Sequence, residues 1–375
     1  MLMFKRKQPG VVLDIYDTKK PNKFKDWAKA HKKLVITLSV IGILLIAGGA
    51  VSAVYVLSQP KTTQVATTPK PSPEPEPEPI KYYSPLTGAL VSDEAATRQA
   101  VTGIMIENSP DARPQSGLKD SGVVFEAIAE GGITRFLVLY QEQKPQLVGP
   151  VRSVRAYYVD WVAAFNASVA HVGGSAAALK EVRNGNYRDI DQFFNSSTYW
   201  RATDRYAPHN VYTSFEKIDA LNAKKGYTTS AFTGFTRKDS TASATPNATT
   251  INVTVSSAAY NSTYTYNATT NTYDRFLGGK PHTDRESGQI SPRVVVAMRV
   301  TQSTVMEDGY RESINAVGTG TAYIFQDGTV QEVTWRKPSK TAQITFTDVE
   351  GKDVELARGQ TWITAVPNGK AITWQ

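Results

Sequence analysis

Residues 34–57, LVITLSVIGILLIAGGAVSAVYVL, form a run of 24 residues without a charged side chain. At ~1.5 Å rise per residue such a run makes a helix of ~36 Å, long enough to cross a ~30 Å hydrocarbon core with some tilt. Lys29, Lys32 and Lys33 stand just before it, and no Lys or Arg follows until Lys61. The positive-inside rule then places the N-terminus in the cytoplasm and everything beyond Tyr55 outside. A cleaved signal peptide is the competing reading, with the small residues 50–53 (AVSA) as its cleavage site. The apolar core is longer than the ~7–15 residues of a signal core and runs on through Val56 and Leu57, so an uncleaved single-pass anchor is expected.

The formal charge of +8 would suggest a nucleic-acid partner, but its distribution argues against one. Ten of the 42 Lys/Arg and three of the 34 Asp/Glu lie in residues 1–33, leaving 32 against 31 in the rest. A body so close to neutral has no bulk attraction for a polyphosphate. There is no cysteine. Disulfides, thiolate metal sites and a lipid linked through a cysteine are therefore excluded for these residues.

Five segments follow. A basic cytoplasmic tail (1–33) leads into the transmembrane helix (34–57). Residues 58–81 (SQPKTTQVATTPKPSPEPEPEPIK) disfavour helix and cannot fill a core, so they read as an extended polyproline-type stalk. Residues 82–227 alternate strand and helix patterns. VTGIMIE (101–107), VVFEAIA (123–129) and ITRFLVLY (133–140) read as strands, and 155–165 reads as a helix with Ser153 as its N-cap. Thr213 and Glu216 have capping-box spacing before a helix that Gly226 stops. The expected fold is therefore an α/β or α+β N-terminal ectodomain. Residues 228–375 are rich in Thr, Ser, Asn and alternating Val/Ile, with hairpins at 267–271 and at Asp327-Gly328, and predict a mostly antiparallel β C-terminal domain.

Polar residues lodge against the apolar runs of the first ectodomain half, where strand ends would converge. Its motifs, with those of the second half, resemble a known family. SPLTG, IENSPDARPQSGL, EAIAEGGITRF, VGPVRSVR, APHNVYTS, YDRFLGGKPHTD and ARGQTWITAVP are similar to the YerB-type lipoprotein family of bacteria, over residues 82–367. The resemblance implies a two-part extracytoplasmic region on a bacterial membrane and implies no reaction. Members that are lipoproteins carry a lipid-modified cysteine, which this chain lacks.

The stretch GPVRSVRAYYVDW (149–161) sets Arg152 and Arg155 at a helix start, where unpaired N–H groups already carry partial positive charge. Two readings compete. In one, the arginines pair with Glu126, Glu130 or Asp204 in a structural network. In the other, arginine forks and helix N–H groups seat a carboxylate or phosphate from outside. The residues expected to hold such an anion are Arg113, Arg135, Arg152, Arg155 and Arg201, with Asn108, Gln115 and Asn210 orienting hydroxyls or amides. Glu130, His171 and His209 complete the expected site. His171, His209 and His282 have no metal-ligand spacing, so no metal or cofactor is expected. No catalytic constellation is recognisable. A peptidoglycan or wall-polymer ligand is the leading expectation. The alternatives are an envelope glycan hydrolase or transferase, using Glu130 or His209 as acid or base, and a protein-interaction scaffold.

Overall fold

The computed structural model describes residues 23–58, 79–305 and 311–375. The first 22 residues of the basic tail and residues 59–78 of the expected stalk lie outside the described residues. The chain divides into two units, residues 1–78 and residues 79–375. In the first, the helix Lys32–Ser58 is long and apolar enough to cross a membrane by length and composition. Leu38, Ile41, Leu44 and Ile46 point outward on several sides of it. A helix with apolar side chains all round needs an apolar surrounding.

The second unit is mostly β with some helices. Its core is a mixed sheet of twelve strands. Ten strands form the main path. The first half of this unit gives β1 (Thr102–Glu107), β2 (Val123–Glu130), β3 (Ile133–Tyr140), β4 (Ser168–Ala170) and β5 (Arg188–Asp189). The second half gives β6 (Val294–Val300), β7 (Gly318–Gln326), β8 (Thr329–Lys337), β9 (Thr345–Thr347) and β10 (Thr361–Pro367). The order across the sheet is β9-β8-β7-β6-β10-β2-β3-β1-β4-β5. The strand β10, near the end of the sequence, inserts parallel between β6 and β2. The boundary expected at residue 227 thus separates two stretches of sequence whose strands share one sheet.

Both faces of the sheet are covered, which is why β2, β3 and β6 read as near-continuous apolar runs. Strand alternation divides their side chains. Val123, Phe125, Leu137 and Leu139 join a core with Tyr158, Trp161 and Phe165 from the helical turns Ala156–Val162 and Ala163–Phe165. Val124, Ile128, Phe136 and Val138 join a second core with Ile251, Val253, Tyr264, Tyr273 and Ile372. These last residues belong to a five-stranded antiparallel sheet that covers the second face: Ile372–Trp374, Thr250–Val253, Ser262–Asn267, Thr272–Leu277 and Lys280–Pro281.

Two helix starts differ from expectation. Ala156–Val162 is capped by Arg155, without a side-chain cap bond, and Ser153 lies outside the helix. The helix Phe215–Lys225 is capped by the Ser214 hydroxyl, which accepts from the Lys217 N–H, one residue later than the Thr213–Glu216 spacing suggested. Gly226 ends it at φ 75°, as expected.

Candidate functional site

Alternation also sorts the polar side chains. Glu107 and Arg135 face each other across β1 and β3, so they share a face, and the helical core packs on that face. Asn108, Thr134 and Glu126 fall on the opposite face, under the five-stranded sheet. The expected site residues therefore occupy several places.

On the helix face, Glu130 at the end of β2 accepts from two guanidinium groups. Arg135 Nη2 lies 2.6 Å from Oε1, and Arg155 Nη2 lies 2.6 Å from Oε2. Arg135 Nη1 and Arg155 Nη1 donate to the carbonyls of Ser153 and Val154, and Arg155 Nε donates to Glu130 Oε2, while Arg135 Nε has no hydrogen-bond partner among the described residues. Burial raises the Glu130 pKa, but the two arginines more than offset this and hold the carboxyl below its ordinary value. Arg135 and Arg155 expose 1% and 6% of their side chains, whereas Glu130 exposes 30%, so an arriving anion would meet the acid first. Arg152 Nε lies 3.3 Å from Glu107 Oε1. The repulsion at the helix start is thus offset by carboxylates of the chain itself, and an anion seat there is not formed. Nor is Glu130, held ionised between two cations, suited to give up or hold a proton.

On the other face, a buried polar network joins the two sheets. Glu126 accepts from Arg275 Nη2 at 2.8 Å, from Trp362 Nε1 at 3.0 Å and from Thr134 Oγ1 at 3.1 Å. Asn108 Nδ2 donates to Thr134 Oγ1, while Asn108 Oδ1 accepts from Arg113 Nε and Gln115 Nε2, both at 3.0 Å. Arg275 donates to Tyr264 Oη and to His282 Nδ1, and lies 4.4 Å from the centre of the Trp362 ring. With its Nδ1 accepting, the His282 ring carries its proton on Nε2, which donates to Gln115 Oε1 at 3.1 Å. Burial, and then Arg275 and Arg113, push the His282 pKa well below its ordinary value and keep the ring neutral. Asn108 and Gln115 are fully buried in this network and present nothing to solvent. The role of Arg275 and Trp362 was unreadable in sequence, although both stand in motifs that carried the family resemblance.

His171 is equally internal. Its Nδ1 lies 2.8 Å from the Gly173 carbonyl and its Nε2 lies 2.9 Å from Asp189 Oδ1.

An open site that gathers several of the expected residues lies elsewhere, around the hairpin that links Trp200–Arg201 to Val211–Tyr212. Two hollows of about 780 Å³ and 390 Å³ share Asp204 and Arg285. Arg113, Arg205, Tyr206 and His209 line the larger, and Trp200 and Arg201 line the smaller. Asn210 is committed to the loop. Its amide N–H groups donate to the carbonyls of Ala202 and Arg205, and its oxygen accepts from Arg201 Nη1. Arg205 donates to the carbonyls of Asp111 and Pro114, and Arg113 donates to both oxygens of Asn108. Among the described residues no carboxylate comes within 4.0 Å of Arg113, Arg201 or Arg205, whereas Asp204 is taken by Arg285 at 2.5 Å. That hydrogen bond, chiefly, holds the Asp204 carboxyl below its ordinary value. The groove thus gathers three arginines satisfied only by neutral oxygens. Arg205 and Arg285 were absent from the expected set, although Arg205 stands in the same segment as Arg201.

His209 forms part of the wall. Its Nδ1 lies 3.0 Å from Glu107 Oε2 and 3.1 Å from Ser109 Oγ.

Residues 86–228 match the N-terminal domain, and residues 251–363 the C-terminal domain, of a family described as protein of unknown function (DUF3048). The chain is 34% identical over 294 residues to the Bacillus subtilis (strain 168) protein named "Putative lipoprotein YerB", covering 77% of this chain and 87% of that one. It is also similar to the crystal structure of the YerB protein from Bacillus subtilis, with a TM-score of 0.70 and 31% identity over 78% of this chain and 100% of that chain. With both domains present in order and a relative aligned along most of its length, the chain belongs to the DUF3048 family, whose function is unknown.

Proposed function

We propose that this protein is anchored by the apolar helix Lys32–Ser58 with the N-terminus in the cytoplasm, and that its extracytoplasmic unit binds an anionic, glycan-containing component of the cell envelope. The helix and the name of the relative both support membrane association. One observation carries the binding reading: Arg113, Arg201 and Arg205 line a groove formed by the two hollows that share Asp204 and Arg285 and have no carboxylate partner among the described residues, while the buried Arg135, Arg155 and Arg275 each face one. A cation held by neutral carbonyls and amides keeps its full charge available to a guest. Trp200 and Tyr206, the latter 92% exposed, offer faces on which sugar rings stack.

The test is calorimetric titration of the full-length protein in detergent with soluble anionic wall-polymer fragments and with uncharged glycan fragments. Binding to the anionic fragments is expected, weakening as salt is raised. Arg201→Ala and Arg205→Ala should each lower the affinity at least ~10-fold, in line with a lost charge-assisted contact. Arg98→Ala, which breaks an exposed pair with Glu94 away from the groove, should leave it unchanged. Parent-like binding by both groove variants, or no binding by the parent, would overturn the reading.

A further inference from the structure

The Glu107–His209 pair gives the same groove a chemical capability beyond holding an anion. Glu107 sits at the end of β1 with 4% of its side chain exposed, between Arg152 on one carboxylate oxygen and His209 on the other. A carboxylate only accepts when ionised, so the hydrogen bond to Glu107 Oε2 places the imidazole proton on Nδ1. The lone pair then lies on Nε2. That nitrogen has no hydrogen-bond partner among the described residues, and the ring it belongs to lines the 780 Å³ hollow beside Arg113 and Arg205. An oriented imidazole with a fixed tautomer and an open Nε2, next to cations able to steady a developing negative charge, is what general-base activation of water requires. Ser109 Oγ is on the wrong nitrogen to be activated, so the nucleophile assigned here is water.

We propose that His209 is a catalytic base that hydrolyses acyl esters carried on the anionic polymer bound in this groove, with Glu107 as its positioning residue. The inference rests on the anion-binding reading of the groove. In the reaction, Nε2 takes a proton from water as the water oxygen bonds to the acyl carbon, and the carbonyl electron pair moves onto its oxygen, facing the arginines. When this tetrahedral intermediate collapses, the bond between the acyl carbon and the polymer oxygen breaks. His209 returns the proton to that leaving oxygen, giving a free carboxylic acid and a polymer hydroxyl. Water is the only co-reactant. Ester chemistry asks only for one oriented base beside cations, which His209 and the arginines supply, whereas canonical glycosidic cleavage needs a pair of carboxyl groups, and of the two that line this hollow Asp204 is committed to Arg285. It also fits better than in-line phosphodiester cleavage, in which one imidazole cannot reach both the entering and the leaving oxygen.

The test uses the full-length protein in detergent and anionic wall-polymer fragments acetylated on their hydroxyls. Calorimetry follows binding, and proton NMR follows acetate release. The parent should bind and release acetate. His209→Gln should bind within ~3-fold of the parent and release acetate at least ~100-fold more slowly. Glu107→Gln should lower kcat with KM little changed, because a glutamine can hold the opposite tautomer. His209→Gln decides the matter if Glu107→Gln does not fold. Binding without acetate release by the parent, or full turnover by His209→Gln, overturns this inference and leaves the groove reading standing. Failure of the parent to bind overturns both.

Discussion

Glu126 and Arg275 show what a charge costs inside this fold. Both side chains are completely buried. Glu126 accepts from Arg275, Trp362 and Thr134, and Arg275 also donates to Tyr264 and His282. Burial lowers the Arg275 pKa, and Glu126 and Tyr264 more than restore it, so the guanidinium stays charged. A pair this well solvated by the chain adds little net stability, but removing one member strands the other in a dry interior. Arg275→Met should therefore lower the unfolding free energy by about 3–5 kcal/mol in urea titrations. Adding Glu126→Leu to Arg275→Met should recover part of that loss. If Arg275→Met alone unfolds at the parent's urea midpoint, the pair is not the unit described here. The contrast with Arg205, held only by carbonyls at the surface, separates a structural arginine from one with charge to offer.

At the scale of elements, local pattern was a good guide and partnership was not. The strand Ile133–Tyr140 was legible to the residue, and the Asp327-Gly328 hairpin forms with both residues at positive φ, 58° and 79°. Helix starts moved by one or two residues: the Ser214 hydroxyl takes the cap from Thr213, and Ala156–Val162 starts at Arg155 without a side-chain cap, where the guanidinium is held by Glu130. The strands Gln302–Val305 and Ile372–Trp374 were missed. They are short and partly polar, and their pairing partners are set by the rest of the fold. The site suffered most, since whether an arginine is structural depends on acids up to 149 positions away. The loop after β8 shows the same dependence. Lys337 Nζ, buried at the end of that strand, donates to the carbonyls of Lys340 and Ala342, both at 2.6 Å. Burial pushes its pKa down to about 8 from the ordinary 10.5. Between these values the unfolded chain keeps a proton that the folded chain has released, so stability rises with pH across this window. Measured as the difference between the parent and Lys337→Met, thermal stability should climb from about pH 8 towards 10.5. A difference that stays flat over that range would show that the amine does not titrate within the fold.

For the whole molecule, the decisive feature is the position of β10. It fills the gap between β2 and β6, pairing seven residues with one strand and four with the other. Without it, β2 would present an open edge carrying Val124 and Phe125, and Glu126 would lose its hydrogen bond from Trp362. The two family regions are therefore expected to fold as one cooperative unit, although residues 228–375 contain all five strands of a second sheet. Fragments 79–227 and 228–375, made separately, should lack a cooperative thermal transition by circular dichroism. Mixed from denaturant, they should regain one, with a single midpoint reported by Trp161 in the first fragment and Trp362 in the second. A sharp transition in the isolated 79–227 fragment would mean that β10 closes an already stable sheet. The groove, whose Arg285 comes from the second region and whose other arginines come from the first, would then be assembled by docking. The expected outcome ties groove and core together: the joint between the regions that buries Glu126 also brings Arg285 to Asp204. Loss of the sheet joint should abolish the proposed anion binding even where every groove residue of the first region remains.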